Sequence, residues 1–269
     1  MSNSQMTKKV TIFRVDLAVG HAENKEDTVA REAPLHVFVN GLHVVSMLCS
    51  PTQLKELVVG HLLCEGLTSS LNEVKELGFD RKDKCFVSLR KTNVENAITH
   101  SKPFTRLIVS ASEGVTHKSL SGYLGSLEMK PLSEWKIRAR TVLDCVGRLN
   151  TLAGTFLRTG GVHVAVIFRN SGELVAYAED VGRHNAVDKA IGAVFLRGQG
   201  LGNSFLALSG RLTGDLVLKA ARTGVPLVAS LAAAVDSGIE VAIKTGVTLV
   251  GLVRGNRMNI YAHPDRIEP

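Results

Sequence analysis

Apolar residues recur along this chain with two periods, and each change of period marks a predicted element. Leu35–Val45 holds its apolar residues in two short runs around Asn40-Gly41, a dipeptide that favours a two-residue hairpin turn. Thr52–Glu65 switches to helical spacing, with Leu54, Leu57, Val58, His61 and Leu62 on one face and Gly66 as the stop. Val74–Leu89 contains short strand candidates around Gly78 and Lys82-Asp83-Lys84. Residues 1–30 sustain no period and are expected to be mobile in part. Ser101–Leu132, rich in Ser, Gly and Lys, reads as a long loop joining two halves.

The second half is more regular. Ser133–Asn150 is predicted as a helix with Ser133 as N-cap and a stripe of Trp135, Ala139, Val142, Leu143, Val146 and Leu149. Strands are predicted at Val162–Phe168, Glu173–Ala178, Ser204–Leu208, Pro226–Leu231, Val247–Val253 and Met258–Ala262. Between them, helices are predicted at Asn185–Leu196, at Thr213–Thr223 before Gly224, and at Ser237–Thr245 behind a capping box Ser237-x-x-Glu240. This alternation argues for a layered α/β fold with some parallel pairing. The expected organisation is a leading segment 1–30, a smaller α+β region 31–132 that includes the 101–132 loop, and an α/β unit over 133–269.

Composition narrows the function. Apolar residues make up 45% and charged residues 21%, the balance of a globular chain. The longest apolar runs are strand-sized, so no membrane span is expected, and the polar Met1–Lys9 is not an export leader. The net charge is +7 with only 5% aromatics, and the cations are scattered, which favours a small anionic ligand over nucleic acid. Cys49, Cys64, Cys85 and Cys145 form no C-x-x-C and no zinc-type cluster, and their small number points to reduced thiols in the cytoplasm.

Three polar, glycine-bearing segments fall at element junctions. Gly182, Arg183 and His184 stand within Glu179–Asn185 at the head of a helix. Ser209, Gly210 and Arg211 precede the next helix, and Arg254, Gly255, Asn256 and Arg257 join the last two strands. Such junctions line the crevice beyond the strand ends in open α/β sheets, and helix starts favour anions. Together they offer guanidinium forks, hydroxyls and bare backbone to a phosphate or diphosphate. Taken singly, each such junction is more often just a cap and turn, with Arg183 and Arg211 as surface ion-pair partners and His184 as a structural histidine; it is their recurrence that favours an anion pocket. His163 follows paired glycines into a strand, but the H-x-E and C-x-x-C of zinc deaminases are both missing, so no metal site is expected.

Read together, Arg158–Ala165 (RTGGVHVA), Glu179–Gly192 (EDVGRHNAVDKAIG), Ser209–Pro226 (SGRLTGDLVLKAARTGVP) and Val253–Ile267 (VRGNRMNIYAHPDRI) resemble the FdhD family of formate dehydrogenase accessory proteins, with Arg31–Gly41 and Gly60–Gly66 similar in the first half. The resemblance implies a cytidine-deaminase-like α/β domain with a smaller partner domain, a homodimer, and binding of the molybdenum bis(molybdopterin guanine dinucleotide) cofactor as a client. It also implies sulfur transfer from a cysteine desulfurase to that cofactor before insertion into formate dehydrogenase. By position, the family's cofactor-binding stretch falls on Leu252, Val253, Arg254, Gly255, Asn256 and Arg257. The family's loop C-x-x-C, whose first cysteine carries the persulfide, is replaced by Glu113 and Thr116. Neither can carry sulfur, because transfer needs a thiolate. The weak substitute candidate is Cys145, with Arg138, Thr141 and Arg148 on its helical face to lower its pKa. A nucleotide-processing hydrolase of deaminase-like fold is the alternative reading.

Overall fold

A computed structural model describes residues 5–81, 83–90 and 135–269. The expected 101–132 loop, its Glu113 and Thr116, and the Ser133 cap lie outside the described residues.

The chain opens with strands β1 (Thr7–Asp16) and β2 (His21–Ala30), paired antiparallel as a two-stranded ribbon. The hydrophobic pattern predicts no element here. Both faces of the ribbon meet solvent, with Phe13, Val15, Leu17 and Val19 exposed, so selection for a buried face never imposed alternation on it.

Next come β3 (Ala33–Val39) and β4 (Leu42–Cys49), joined at Asn40-Gly41 with φ of 48° and 83°, the left-handed pair a type I′ turn requires. Helix α1 (Leu54–Cys64) follows, stopped at Gly66 with φ 72°. Strands β5 (Val74–Asp80) and β6 (Lys84–Leu89) complete a four-stranded sheet in the order β4-β3-β6-β5, with β3 and β6 parallel. Leu35, Val37, Val39, Cys85 and Val87 point inward and meet Leu57, Val58 and Leu62 of α1.

After the short strand β7 (Ile137–Arg138) come helices α2 (Ala139–Gly147), α3 (Leu149–Leu152) and α4 (Gly154–Thr159). The rest alternates: β8 (His163–Arg169), β9 (Leu174–Asp180), α5 (Arg183–Leu196), β10 (Ser204–Leu208), α6 (Gly214–Thr223), β11 (Leu227–Ser230), α7 (Asp236–Thr245), β12 (Thr248–Arg254), β13 (Arg257–Ala262) and β14 (Ile267–Glu268). Six of these strands form one mixed sheet in the order β13-β12-β11-β10-β8-β9, parallel from β10 through β12. One face packs on α5, α6 and α7 through Ile191, Leu216, Val217 and Val241, and the other on α2 and α3 through Val142, Val146 and Leu149. Strands covered on both faces read as continuous apolar runs, as Ser204–Leu208 and Leu227–Ser230 do.

Helix α1 is buried from Leu57 through Cys64 because it serves two partners, the small sheet on one side and α5 on the other. The α1–α5 crossing is glycine-lined: a Cβ on Gly60 would stand 1.8 Å from the Asp188 carbonyl oxygen, and one on Gly192 would stand 2.0 Å from that of Glu56. Near this crossing Lys219 of α6 donates to Asp188 at 2.9 Å and to Glu65 at 2.8 Å, with His61 Nδ1 3.3 Å from Asp188. The expected capping box at Ser237 is not formed: Ser237 lies inside α7, its Oγ accepts from the Gly214 amide at 3.3 Å, and Glu240 pairs with Lys244. No helix of the described residues is long and apolar enough to cross a membrane.

Candidate functional site

The three polar junctions share one edge of the six-stranded sheet. Because β10, β11 and β12 are parallel while β8 runs against β10, the ends of β9 through β12 and the start of β8 meet there. His163 opens β8 and pairs in register with Asp180, the last residue of β9. Its parity matches Ala165 and Ile167, which pack on the α5 face.

Much of the charge before α5 turns inward. Glu179 accepts from the Thr155 amide at 2.9 Å and the Phe156 amide at 2.9 Å, closing the start of α4. Asp180 forms a wholly buried ion pair with Lys189 at 2.6 Å and takes the Gly182 amide at 2.9 Å and Asn185 Nδ2 at 3.0 Å. Ser50, after β4, meets three groups of this segment: its amide donates to Asp180, its carbonyl accepts from Lys189, and its Oγ accepts from the Val181 amide. A buried pair of this kind is tolerable only with its remaining donors and acceptors satisfied, and Ser50 and Asn185 satisfy them.

What remains facing the edge is Gly182, Arg183 and His184. Gly182 is the N-cap of α5 and gives it no side-chain cap, so among the described residues the first amides of a 14-residue helix have no side-chain acceptor. The stem of Arg183 crosses to Gly210, where a Cβ would stand 3.1 Å from Arg183 Cβ and 3.2 Å from its Cδ. Glycine at 210 leaves room for that stem. Arg183 Nε is buried and, among the described residues, has no hydrogen-bond partner. Ser209 Oγ accepts from the Val164 amide at 3.1 Å and lies 3.4 Å from His163 Nδ1. Burial, helped by Arg183, lowers the His163 pKa. His184 Nε2 lies 3.2 Å from Asp215 Oδ2, yet burial still lowers its pKa, with Lys219 and Arg183 opposing the Asp215 carboxylate.

The structure therefore gathers His163, Gly182, Arg183, His184, Ser209 and Gly210. Arg211 is exposed beyond the turn. The stretch 252–257 lies on the same edge two strands away, linked through the loop after β11: Leu252 donates to the Ala232 carbonyl and Leu212 to that of Ala233. Leu252 is half-buried with φ 52°, and Val253 is 2% exposed in the α2-side core, so its side chain is not presented. Arg254, Gly255, Asn256 and Arg257 form the exposed tip of the β12–β13 hairpin, with Arg254 paired across from Arg257.

Cys145 requires a correction. It lies in the core beneath β8 and β10, its Sγ faces the Gly172 carbonyl at 3.7 Å, and burial pushes its thiol up to about 11 against the partial opposition of Arg148. Arg148 instead stacks 5.2 Å over Phe168 and donates to Gly172. Cys49 and Cys85 are likewise raised by burial to about 11, and Cys64 is raised further. Sequence reasoning also missed Ser50, Asp180, Lys189, Asp215 and Lys219 as the supports of the edge. Only Asp215, an acid in the first turn of α6, had a local signal.

Residues 30–268 match the FdhD/NarQ family. Among curated relatives, the sulfur carrier protein FdhD of Sulfolobus acidocaldarius is 35% identical over 97% of this chain and 98% of its own. That of Bacillus subtilis is 30% identical over 98% of this chain and 99% of its own. A crystal structure described as a formate dehydrogenase accessory protein of Desulfotalea psychrophila superposes with a TM-score of 0.78 at 26% identity, covering 98% of this chain and 100% of that one.

Proposed function

The chain belongs to the FdhD/NarQ family, and from that premise we propose that it is a formate dehydrogenase accessory protein that holds the guanine dinucleotide part of a molybdenum cofactor at the edge of its six-stranded sheet. The observation that carries this reading is Arg183. Among the described residues its Nε is buried without a partner, beside a start of α5 that Gly182 does not cap. A buried guanidinium nitrogen left unpaired is costly, and a diphosphate oxygen is the acceptor that fits both it and the helix amides. The exposed Arg254 and Arg257 extend the cationic edge toward the second phosphate or the far end of the cargo. The helix-covered sheet accords with deaminase-like layering. The partners this reading implies are a cysteine desulfurase and formate dehydrogenase in the cytoplasm, with the chain acting as a homodimer.

The curated relatives are named sulfur carriers. In this chain all four cysteines are buried, and burial keeps their thiols protonated at neutral pH. We therefore assign it the handling of the cofactor without a persulfide on its own cysteines in the folded state.

Calorimetric titration with guanosine diphosphate tests the binding role. Arg183→Ala is expected to weaken binding roughly tenfold or more, the loss of a charge-assisted hydrogen bond. Arg254→Ala with Arg257→Ala is expected to weaken it less, because those groups stand in water. Unchanged affinity in Arg183→Ala would remove the edge from consideration. Mass spectrometry after incubation with a desulfurase and cysteine is expected to find no persulfide, and one on Cys145 would overturn the second assignment.

A further inference from the structure

The sequence counts His184 among groups that meet an anion, but its surroundings give it the opposite polarity. Nε2 lies 3.2 Å from Asp215 Oδ2. A carboxylate only accepts, so the hydrogen of the neutral ring belongs on Nε2, and Nδ1 is left with a bare lone pair. Asp215 is itself held in place, since its Oδ1 accepts from Thr213 Oγ1 and from the Leu216 amide. Nδ1 makes no hydrogen bond to any described residue, and 30% of the side chain stays open.

The groups that face the ring come from two helices. Arg183 and Asp188 stand on its own helix, and Asp215 and Lys219 on α6. Burial and the two cations outweigh the two carboxylates, so the ring is neutral at neutral pH. A neutral ring with its only hydrogen already directed at Asp215 has nothing to donate to a phosphate. Arg183 and the open amides of α5 do that work beside it.

We propose that Asp215 is a positioning residue that fixes His184 as a hydrogen-bond acceptor, so that Nδ1 reads a lactam N–H of the bound purine or pterin and makes no contact with the diphosphate. This rests on the dinucleotide reading above, and it divides the edge into a cationic part for phosphate and an acceptor for the heterocycle. Adenine, which presents a ring nitrogen lone pair where guanine presents N1–H, is disfavoured by the same acceptor.

Two measurements test it. The first is 15N NMR of histidine-labelled protein near neutral pH without ligand. Nδ1 of His184 is expected to be unprotonated in the wild type. In Asp215→Asn the amide oxygen keeps its bonds from Thr213 and Leu216 and turns its NH2 to the ring, so the hydrogen is expected to move to Nδ1. The second is calorimetry with guanosine diphosphate and with inorganic pyrophosphate. Asp215→Asn and His184→Ala are expected to weaken guanosine diphosphate roughly tenfold, the value of one hydrogen bond, and to leave pyrophosphate unchanged. His184→Asn, whose amide oxygen stands near the Nδ1 position, is expected to recover part of the loss. A hydrogen on wild-type Nδ1, or pyrophosphate weakened as much as guanosine diphosphate, overturns the proposal. If Asp215→Asn does not fold, the His184 pair decides. A wild-type chain that binds neither probe overturns the dinucleotide reading, and the ligand contact with it, while the tautomer result still stands or falls by itself.

Discussion

The glycine-lined crossing of α1 and α5 gives the sharpest structural test. Gly192→Ala places a methyl carbon 2.0 Å from the Glu56 carbonyl oxygen, and Gly60→Ala places one 1.8 Å from that of Asp188. Real Cβ contacts essentially never fall below 3.0 Å, so either change must part the helices by about 1 Å. Both obstacles are backbone atoms, and no rotamer change relieves them. Overpacking costs about 1–3 kcal/mol where side chains can yield, and these sites belong at or above the top of that range. The intrinsic preference of helices for Ala over Gly returns at most about 1 kcal/mol. A net loss of about 3 kcal/mol corresponds to a fall in Tm of roughly 6–12 °C for a chain of this size. The control is Gly147→Ala at the end of α2, where a Cβ meets nothing within 4 Å, so that neutrality or slight stabilisation is expected. Thermal and urea unfolding followed by circular dichroism measure all three variants. The double variant Gly60→Ala with Gly192→Ala is expected to lose less than the two single losses combined, because helices already parted accommodate the second methyl. A Gly192→Ala chain as stable as Gly147→Ala would refute the close crossing.

Four further outcomes follow from buried ionisable groups. Lys219→Met removes the cation that Asp188 and Glu65 share, leaving Asp188 to His61 and Glu65 to Arg222 at 3.9 Å, and is expected to cost about 3–5 kcal/mol at neutral pH. Burial resists the charge of both carboxylates, but Lys219 together with His61, and at Glu65 also Arg222, outweighs it and holds them below their ordinary values of 3.8 and 4.5. Their stabilisation is complete above those values and is lost as pH falls through the depressed ones, so wild-type Tm is expected to drop in acid while the Lys219→Met deficit shrinks. For Cys49, Cys85 and Cys145 the sign reverses. Thiols raised by burial from 9.0 to about 11 contribute stability that is intact below 9.0 and is lost as pH rises toward 11, measurable as a falling Tm across that window. At neutral pH, alkylation of all four thiols is expected to be slow in the folded chain and fast in urea, and rapid labelling of Cys145 in the folded chain would contradict its burial.

Periodicity made most of the fold legible. Ser204–Leu208 and the Asn40-Gly41 hairpin appear where the pattern put them, because each has either a buried face or a turn of fixed chemistry. The ribbon of Thr7–Ala30 was illegible for the converse reason: His21–Ala30 is polar on both sides, and a strand without a buried face carries no alternation. The polar junctions were legible as candidates because glycine and arginine recur at strand ends. Their internal division was not. Asp180 and Lys189 look like surface charges until Ser50, about 130 residues earlier, is folded against them. Lys219 likewise meets Glu65 across 154 residues, a pairing no local pattern encodes. Ser237 had the spacing of a cap, but Gly214 came within reach and took its hydroxyl.

Ser50 meets Asp180, Val181 and Lys189 at the same time, with its amide, its hydroxyl and its carbonyl. The small sheet therefore behaves as a handle on the mouth of the large one. Any displacement of β4 would strain the peptide leading into Arg183, because all three contacts run through one residue.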